Sequence, residues 1–323
     1  MNTTDRLEAL IPEELSGMRV DKALAALFPD YSRTVIQGWL RLGVVQLGGR
    51  CPAQREQVSP GVPVAIDVPP VRSSDWQPQA IPLDVKFEDE YLRVINKPSG
   101  LVVHPGAGNP DGTLLNALLH REPALMELPR AGIVHRLDKD TSGLMVVART
   151  EAVRQRLIRE LQVRRVARVY LAVVYGVMVS GGRIEAPVGR DPRDRVRMAV
   201  TPKGKSAITQ IRVEQRYRHH SLLRAELESG RTHQIRVHLA HYGFPLVGDP
   251  VYGRRLRIPP RAGHRLRAAL RGLGRQALHA AELRFVHPVT KQAMTWKQLP
   301  PPDLQGLIDA LADDAAAEIE SRP

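Results

Sequence analysis

The chain has 323 residues, enough for one large domain and a small one, and its formal charge of +13 with a pI of about 10.3 favours polyanionic partners. A single cysteine, Cys51, excludes an internal disulfide framework and a multi-thiolate zinc site. There is neither an apolar run of about eighteen residues nor a basic-then-apolar leader, so the expected compartment is the cytoplasm. Four Phe, seven Tyr and three Trp are too few for an aromatic stacking platform, leaving recognition to charge, shape and one or two stacked bases.

The charge is unevenly placed. Residues 1–76 carry 8 basic against 9 acidic side chains, which leaves +14 for the remainder, and the tail from Asp303 has six acids and one Arg, so the stretch between holds +19. A polyanion is therefore expected against the middle of the chain. Only 8 of the 47 basic residues are Lys; a GC-rich genome also produces such an Arg bias, so net charge alone carries this expectation.

In chain order, Val20, Ala23, Leu24 and Leu27 predict one apolar face of a helix within Met18 to Leu27. Ser32 is a good N-cap for a second helix burying Val35, Ile36, Trp39 and Leu40 and ending at Gly43; the chain then alternates from Val44 to Leu47 into a Gly48-Gly49 hairpin turn. Residues 1–68 thus read as a small α/β module, and the Pro-rich polar stretch 69–82 as a linker. Residues 83–302 alternate strand-like runs (YLRVINK, GLMVVART, VYLAVVYGVM, LLRAELES) with a few helices. They show no clean repeat of strand, helix and parallel strand, and predict an α+β domain with a mixed, largely antiparallel sheet flanked by helices. A helix beginning near Thr232 places Ile235, His238, Leu239 and Tyr242 on one face and stops at Gly243. The eight Arg from Arg254 to Arg275 surround an apolar face of Leu266, Ala269, Leu270 and Leu273, a packed helix with a cationic outer side. In 303–323, Leu304, Leu307, Ile308 and Leu311 predict a docked helix with a solvated acidic end.

The segment HRLDKDTS feeds the apolar run GLMVVA, a buried strand. A loop fixed by a strand is a usual place for reacting groups, whereas five charged or polar residues in succession are costly to bury unpaired. A solvated turn in which Asp138 or Asp140 bonds to nearby backbone reads equally well from this segment alone.

The longer pattern separates the two. HRLDKDTSG resembles the catalytic signature of the pseudouridine synthases that act on large-subunit ribosomal RNA, and INKPSGLVVHPGAG, NPDGTLLNALL, GRTHQIRVH and PLVGDPVYG resemble further blocks of that family in the same order. The likeness covers nearly the whole chain. It implies isomerisation of uridine in 23S ribosomal RNA of the large ribosomal subunit, with helix 69 as target, no cofactor, and Asp138 as the essential acid. A free Asp titrates near about 3.9 and is charged at neutral pH unless burial raises that value, which a cationic partner would prevent. The resemblance assigns that partner to Arg236, the stack on a flipped base to Tyr170, and entry into the RNA to Arg136. His135, Lys97, His104, Arg231 and His233 are further candidate RNA contacts, the loop of Lys97, Pro98, Gly100 and His104 shaping the pocket as an alternative. Leu246 or Val247 would cover the pocket, or be plain core. Tyr170 also reads as an ordinary strand aromatic, and Arg236 as a surface Arg.

SRTVIQGWLRLGVVQLGG resembles the RNA-binding module named after the fourth protein of the small ribosomal subunit, which would place Arg33 and Arg41 near phosphate; a generic α/β module is the alternative. His233, His238 and His241 fit no standard zinc spacing, so no metal is expected. DKDTSG also has a likeness to aspartyl-phosphate enzymes, but there the Asp follows an apolar strand, and Asp138 precedes one. The stronger rival is a non-catalytic RNA-binding assembly factor.

Overall fold

The computed structural model describes residues 6–29, 31, 33–68, 76–106, 108–194, 197–253 and 255–320. Ser32, residues 69–75 of the linker and Arg254 lie outside the described residues. The chain forms two compact units, Met1–Ser74 and Asp75–Pro323.

In the first unit, strand β1 (Arg6–Leu10) precedes helices α1 (Val20–Leu27) and α2 (Arg33–Leu42), then β2 (Val45–Leu47) and β3 (Pro63–Asp67). The strands form an antiparallel sheet in the order β1-β3-β2. Gly48 and Gly49 both have positive φ, as the tight turn after β2 requires. Val20, Ala23, Leu24, Ile36, Trp39 and Leu40 pack on Val45, Val64 and Ile66. Val35 is a correction: it is 41% exposed, on the outer side of α2. Wholly buried Asp21 pins the two helices, accepting from Arg19 Nε (3.1 Å), Arg33 Nη2 (2.6 Å) and Gln37 Nε2 (2.6 Å). Although burial opposes ionisation, these partners hold its pKa down at about 2.

The second unit runs β4 (Asp84–Glu88), β5 (Leu92–Lys97), α3 (Leu114–Arg121), β6 (Ser142–Ala148), α4 (Glu151–Gln162), β7 (Ala167–Tyr175), β8 (Gly182–Glu185), β9 (Val188–Arg190), β10 (Met198–Val200), β11 (Ile208–Arg216), β12 (His220–Leu227), α5 (Gln234–His241), α6 (His264–Gly272), β13 (Leu278–Val286), β14 (Ala293–Lys297) and α7 (Pro302–Glu320). Nine strands share one sheet in the order β4-β5-β6-β13-β7-β12-β11-β8, with β14 also on β13. Only the short β6–β13 pairing is parallel, so the sheet is mixed and largely antiparallel in an α+β arrangement, as the sequence predicts. Alternation along the strands sends Met145, Val147, Tyr170, Ala172 and Val174 to the face covered by α3 and α5. Leu144, Val146 and Ala148 face α4, and Val173 and Tyr175 face α6 and α7.

Gly143 sets the junction of β6 and β13. Its φ is +118°, and a Cβ there would lie 2.3 Å from the Ala280 carbonyl oxygen. Any side chain would force the two strands apart exactly where the HRLD loop enters the sheet.

Candidate active site

The loop before β6 is held from both sides. Lys97, at the end of β5, is 1% exposed and donates from Nζ to the carbonyls of Pro98 (2.7 Å), Leu101 (2.9 Å) and Lys139 (2.9 Å). Burial pulls its pKa down to about 7, with Asp140 and Asp138 opposing; three acceptors engage all three ammonium protons, which favours the charged form. From the other side, Arg275 Nη1 donates to the Asp140 carbonyl at 3.2 Å, while its Nε and Nη2 hold Asp303 at the start of α7 (2.6 and 2.9 Å). Gln276 Nε2 donates to Thr141 Oγ1 at 3.1 Å. A loop so braced keeps one conformation, which is what aiming a side chain demands.

Asp138 leaves that loop for a cleft of about 740 Å³, within the range of roughly 300–1,000 Å³ that encloses small ligands. Arg236, in the first turn of α5, meets it 98 residues along the chain: Nη1 donates to Asp138 Oδ2 at 3.0 Å. The other edge of the guanidinium makes a two-point pair with Asp249, Nε to Oδ2 at 2.8 Å and Nη2 to Oδ1 at 2.9 Å. Asp249 is fully buried and also accepts the Val251 and Tyr252 amides at 2.9 and 3.0 Å. Burial opposes the charge on Arg236, but Asp249 and then Asp138 raise its pKa above the ordinary arginine value; burial likewise opposes Asp249, whose pKa Arg236 lowers. The carboxylate–guanidinium–carboxylate chain therefore fixes Arg236 rigidly and leaves Asp138 as its one end open to the cleft.

His233 caps α5 in the left-handed region (φ 56°) and lies 3.8 Å from Asp138 Oδ1 through Nε2. Its Nδ1 is 2.9 Å from the Tyr252 hydroxyl, which accepts the Met198 amide at 3.0 Å. When the phenol gives its own proton to Nδ1, the neutral ring carries its proton on Nε2, on the Asp138 side. Burial lowers the His233 pKa, Asp138 acting against it. The Tyr252 ring also stacks under Arg236, 5.1 Å from guanidinium carbon to ring centre.

Tyr170 is 5% exposed and lines the cleft from β7. Its neighbours across the sheet are Ala225 and Ala280, small residues that leave the face open for its ring. Burial pushes its phenol up to about 12, so it stays neutral. His104, His135, Arg136, Arg231 and His233 line the same cleft. Burial lowers His104 to about 4 and His135 to about 3, leaving both neutral, while Arg136 and Arg231 are exposed cations at the rim.

Two expectations need correction. Lys97 is walled off from solvent and fastens the loop, so it shapes the pocket instead of offering its charge to RNA. Leu246 and Val247 are both 0% exposed and belong to two separate cores, so neither covers the cleft. Arg33 and Arg41 lie in the first unit, Arg33 on Asp21 with 43% of its side chain exposed, Arg41 exposed. His238 is buried between Thr209 Oγ1 and the Ala186 carbonyl, both 2.9 Å, in a structural role.

Sequence reasoning missed Asp249, Tyr252 and Trp76. Asp249 had a signal in GDP: Gly248 has φ +70° and a Cβ there would sit 2.2 Å from the Arg275 carbonyl oxygen, so this turn presses on the loop between α6 and β13. Trp76, within the predicted linker, lines the cleft. Among the described residues no group of three or more His, Cys, Asp or Glu is placed to hold a metal ion, and no helix is long and apolar enough to cross a membrane.

Residues 91–241 match the RNA pseudouridylate synthase family. The chain is 50% identical over 313 residues to ribosomal large subunit pseudouridine synthase D of Xanthomonas campestris pv. campestris, covering 97% of this chain and 95% of that protein. It is 50% identical over 310 residues to the protein of the same name from Escherichia coli strain K12, covering 96% and 95%, and 48% identical over 309 residues to that from Pseudomonas aeruginosa, covering 96% and 97%. The solved structure of human RNA pseudouridylate synthase domain containing 1 has the same fold, with a TM-score of 0.54 and 24% identity over 76% of this chain and 97% of that one.

Proposed function

Because the chain belongs to the RNA pseudouridylate synthase family, we propose that it isomerises uridines of 23S ribosomal RNA, in the helix 69 stem-loop of the large subunit, with Asp138 as the nucleophile or base. The likeness to relatives named for the large ribosomal subunit supports the substrate, and a ribosomal substrate places the work in the cytoplasm. The observation that carries the reading is Asp138 itself, held at 3.0 Å by an Arg236 that Asp249 clamps from behind, with its second carboxylate oxygen free of hydrogen bonds from the described residues and 3.8 Å from His233 Nε2.

The reaction breaks the N1–C1′ bond, turns the uracil and joins C5 to C1′; the C5 proton leaves and N1 gains one. No electrons are exchanged with another molecule and no group is transferred, so no redox cofactor is demanded. The cleft takes a nucleotide swung out of the RNA, at a cost of a few kcal/mol, about what stacking on Tyr170 returns. Asp138 meets the ribose side of that nucleotide. Arg236 orients the carboxylate, and His233 turns its Nε2 proton towards the second oxygen. Arg136 and Arg231 at the rim meet phosphate, and Arg136 occupies the space the swung-out nucleotide leaves in the RNA.

The test is tritium release from uridine C5 in a helix 69 transcript and in undermodified large subunits. Wild type releases tritium and Asp138→Asn releases none, with a melting temperature close to wild type because Arg236 keeps Asp249. Release by both proteins would remove Asp138 from the chemistry; tight RNA binding with release by neither would favour a non-catalytic assembly factor.

A further inference from the structure

Among the described residues four arginines are buried: Arg93, Arg168, Arg236 and Arg275. Three of them face carboxylates, Arg93 with Glu88 and Glu122, Arg236 with Asp249 and Asp138, Arg275 with Asp303. Arg168 faces none. It is 7% exposed, on the same face of β7 as Tyr170 and two residues before it, and it lines the cleft. Its single bond among the described residues runs from Nη2 to the Leu227 carbonyl at 3.5 Å, the outer limit of a hydrogen bond, and its Nε is buried without an acceptor there. The guanidinium lies against Gly230, where a Cβ would come within 2.8 Å of Nη1.

A buried cation without a counter-charge costs several kcal/mol and persists where something else supplies the anion. We propose that Arg168 is a phosphate-binding residue, receiving one backbone phosphodiester beside the target uridine on the floor of the cleft. The proposal deepens the function given above and rests on it. Uracil and ribose are neutral and would satisfy N–H groups without balancing the charge; the phosphodiester is the anion every nucleotide brings, and the planar fork of an arginine matches its oxygens. His135 supplies a second donor. Its Nε2 accepts the Val146 amide at 3.1 Å, so Nδ1 carries the ring proton, and Nδ1 too is buried without a partner beside the same cleft. Burial and the charge of Arg168 both lower the His135 pKa.

The experiment is a cycle between side chain and phosphate. In helix 69 hairpins each linkage flanking the target uridine is replaced in turn by a neutral methylphosphonate, and kcat/KM is measured for wild type, Arg168→Met and Arg168→Lys. At one linkage wild type loses about ten- to a hundredfold, chiefly in KM, the size expected of a charge-assisted hydrogen bond. Arg168→Met shows that loss on unmodified RNA and none further at the same linkage; Arg168→Lys recovers part of it on charged RNA only. Arg168→Met also melts at or above wild type, because it no longer buries an unbalanced charge. Wild-type turnover of unmodified RNA by Arg168→Met, an equal further loss at every neutral linkage, or a lowered melting temperature would overturn the proposal. If wild type releases no tritium from this hairpin, the function reading falls; the same cycle read as Kd by filter binding then decides the phosphate site, for it if Arg168→Met abolishes the penalty at one linkage and against it if both proteins show the same penalty.

Discussion

Two aspartates with arginine partners stand in very different positions in this molecule. Asp21, in the first unit, has 0% side-chain exposure and both oxygens occupied, by Arg19, Arg33 and Gln37. Asp138, in the second, has 16% exposure, one oxygen on Arg236, and the other no nearer than 3.8 Å to His233. The first carboxylate is a fastening with nothing left to offer a ligand. The second is aimed but unfinished, because the task of neutralising Arg236 falls on Asp249. An aspartate–arginine pair by itself therefore says little about function; what matters is whether the carboxylate's lone pairs are all taken.

Breaking the second arrangement should have the larger effect. Arg236→Ala is expected to lower tritium release by about a hundred- to a thousandfold, and to cost about 3–5 kcal/mol of stability because Asp249 is left buried without its counter-charge. Chemical denaturation beside the activity assay checks both, and a variant with normal turnover would sink the pairing. Asp21→Asn sharpens the contrast: a loss of about 2 kcal/mol from the helix pair, with kcat at saturating RNA within twofold of wild type; a large fall in kcat would mean that this cluster too serves the reaction. A third effect is in pH. His135 titrates at about 3 in the folded chain against 6.5 when free. Between those values the unfolded chain takes up a proton that the folded one refuses, so this contribution to stability is full above pH 6.5 and lost as pH falls towards 3. His135→Gln should flatten the fall of melting temperature over pH 6.5 to 4; an unchanged slope would show that the ring is not buried neutral.

Much of this was legible beforehand. The run GLMVVA gave β6, the spacing from Ile235 to Leu239 gave α5, and the separate HRLD and HQIR blocks converge on one ion pair. What stayed hidden has physical reasons. The central strand β13, LHAAELRFV, reads by propensity as helix as readily as strand, with one β-branched residue in nine; only its neighbours β6, β7 and β14 make it a strand. Lys97 looked like an RNA contact because lysines are usually solvated, and local sequence does not reveal three carbonyls brought together by a distant loop. Leu246 and Val247 drew attention away from Asp249, whose role depends on a guanidinium thirteen residues earlier.

The tie from Arg275 to both the Asp140 carbonyl and Asp303 has a consequence for how the protein is made. The ribosome delivers the HRLD loop long before α7, so during synthesis Arg275 must wait for Asp303 to emerge before its charge is balanced. A growing chain can form much of its sheet while the loop that aims Asp138 still lacks this brace. The last helix thus completes the brace of a loop made well before it.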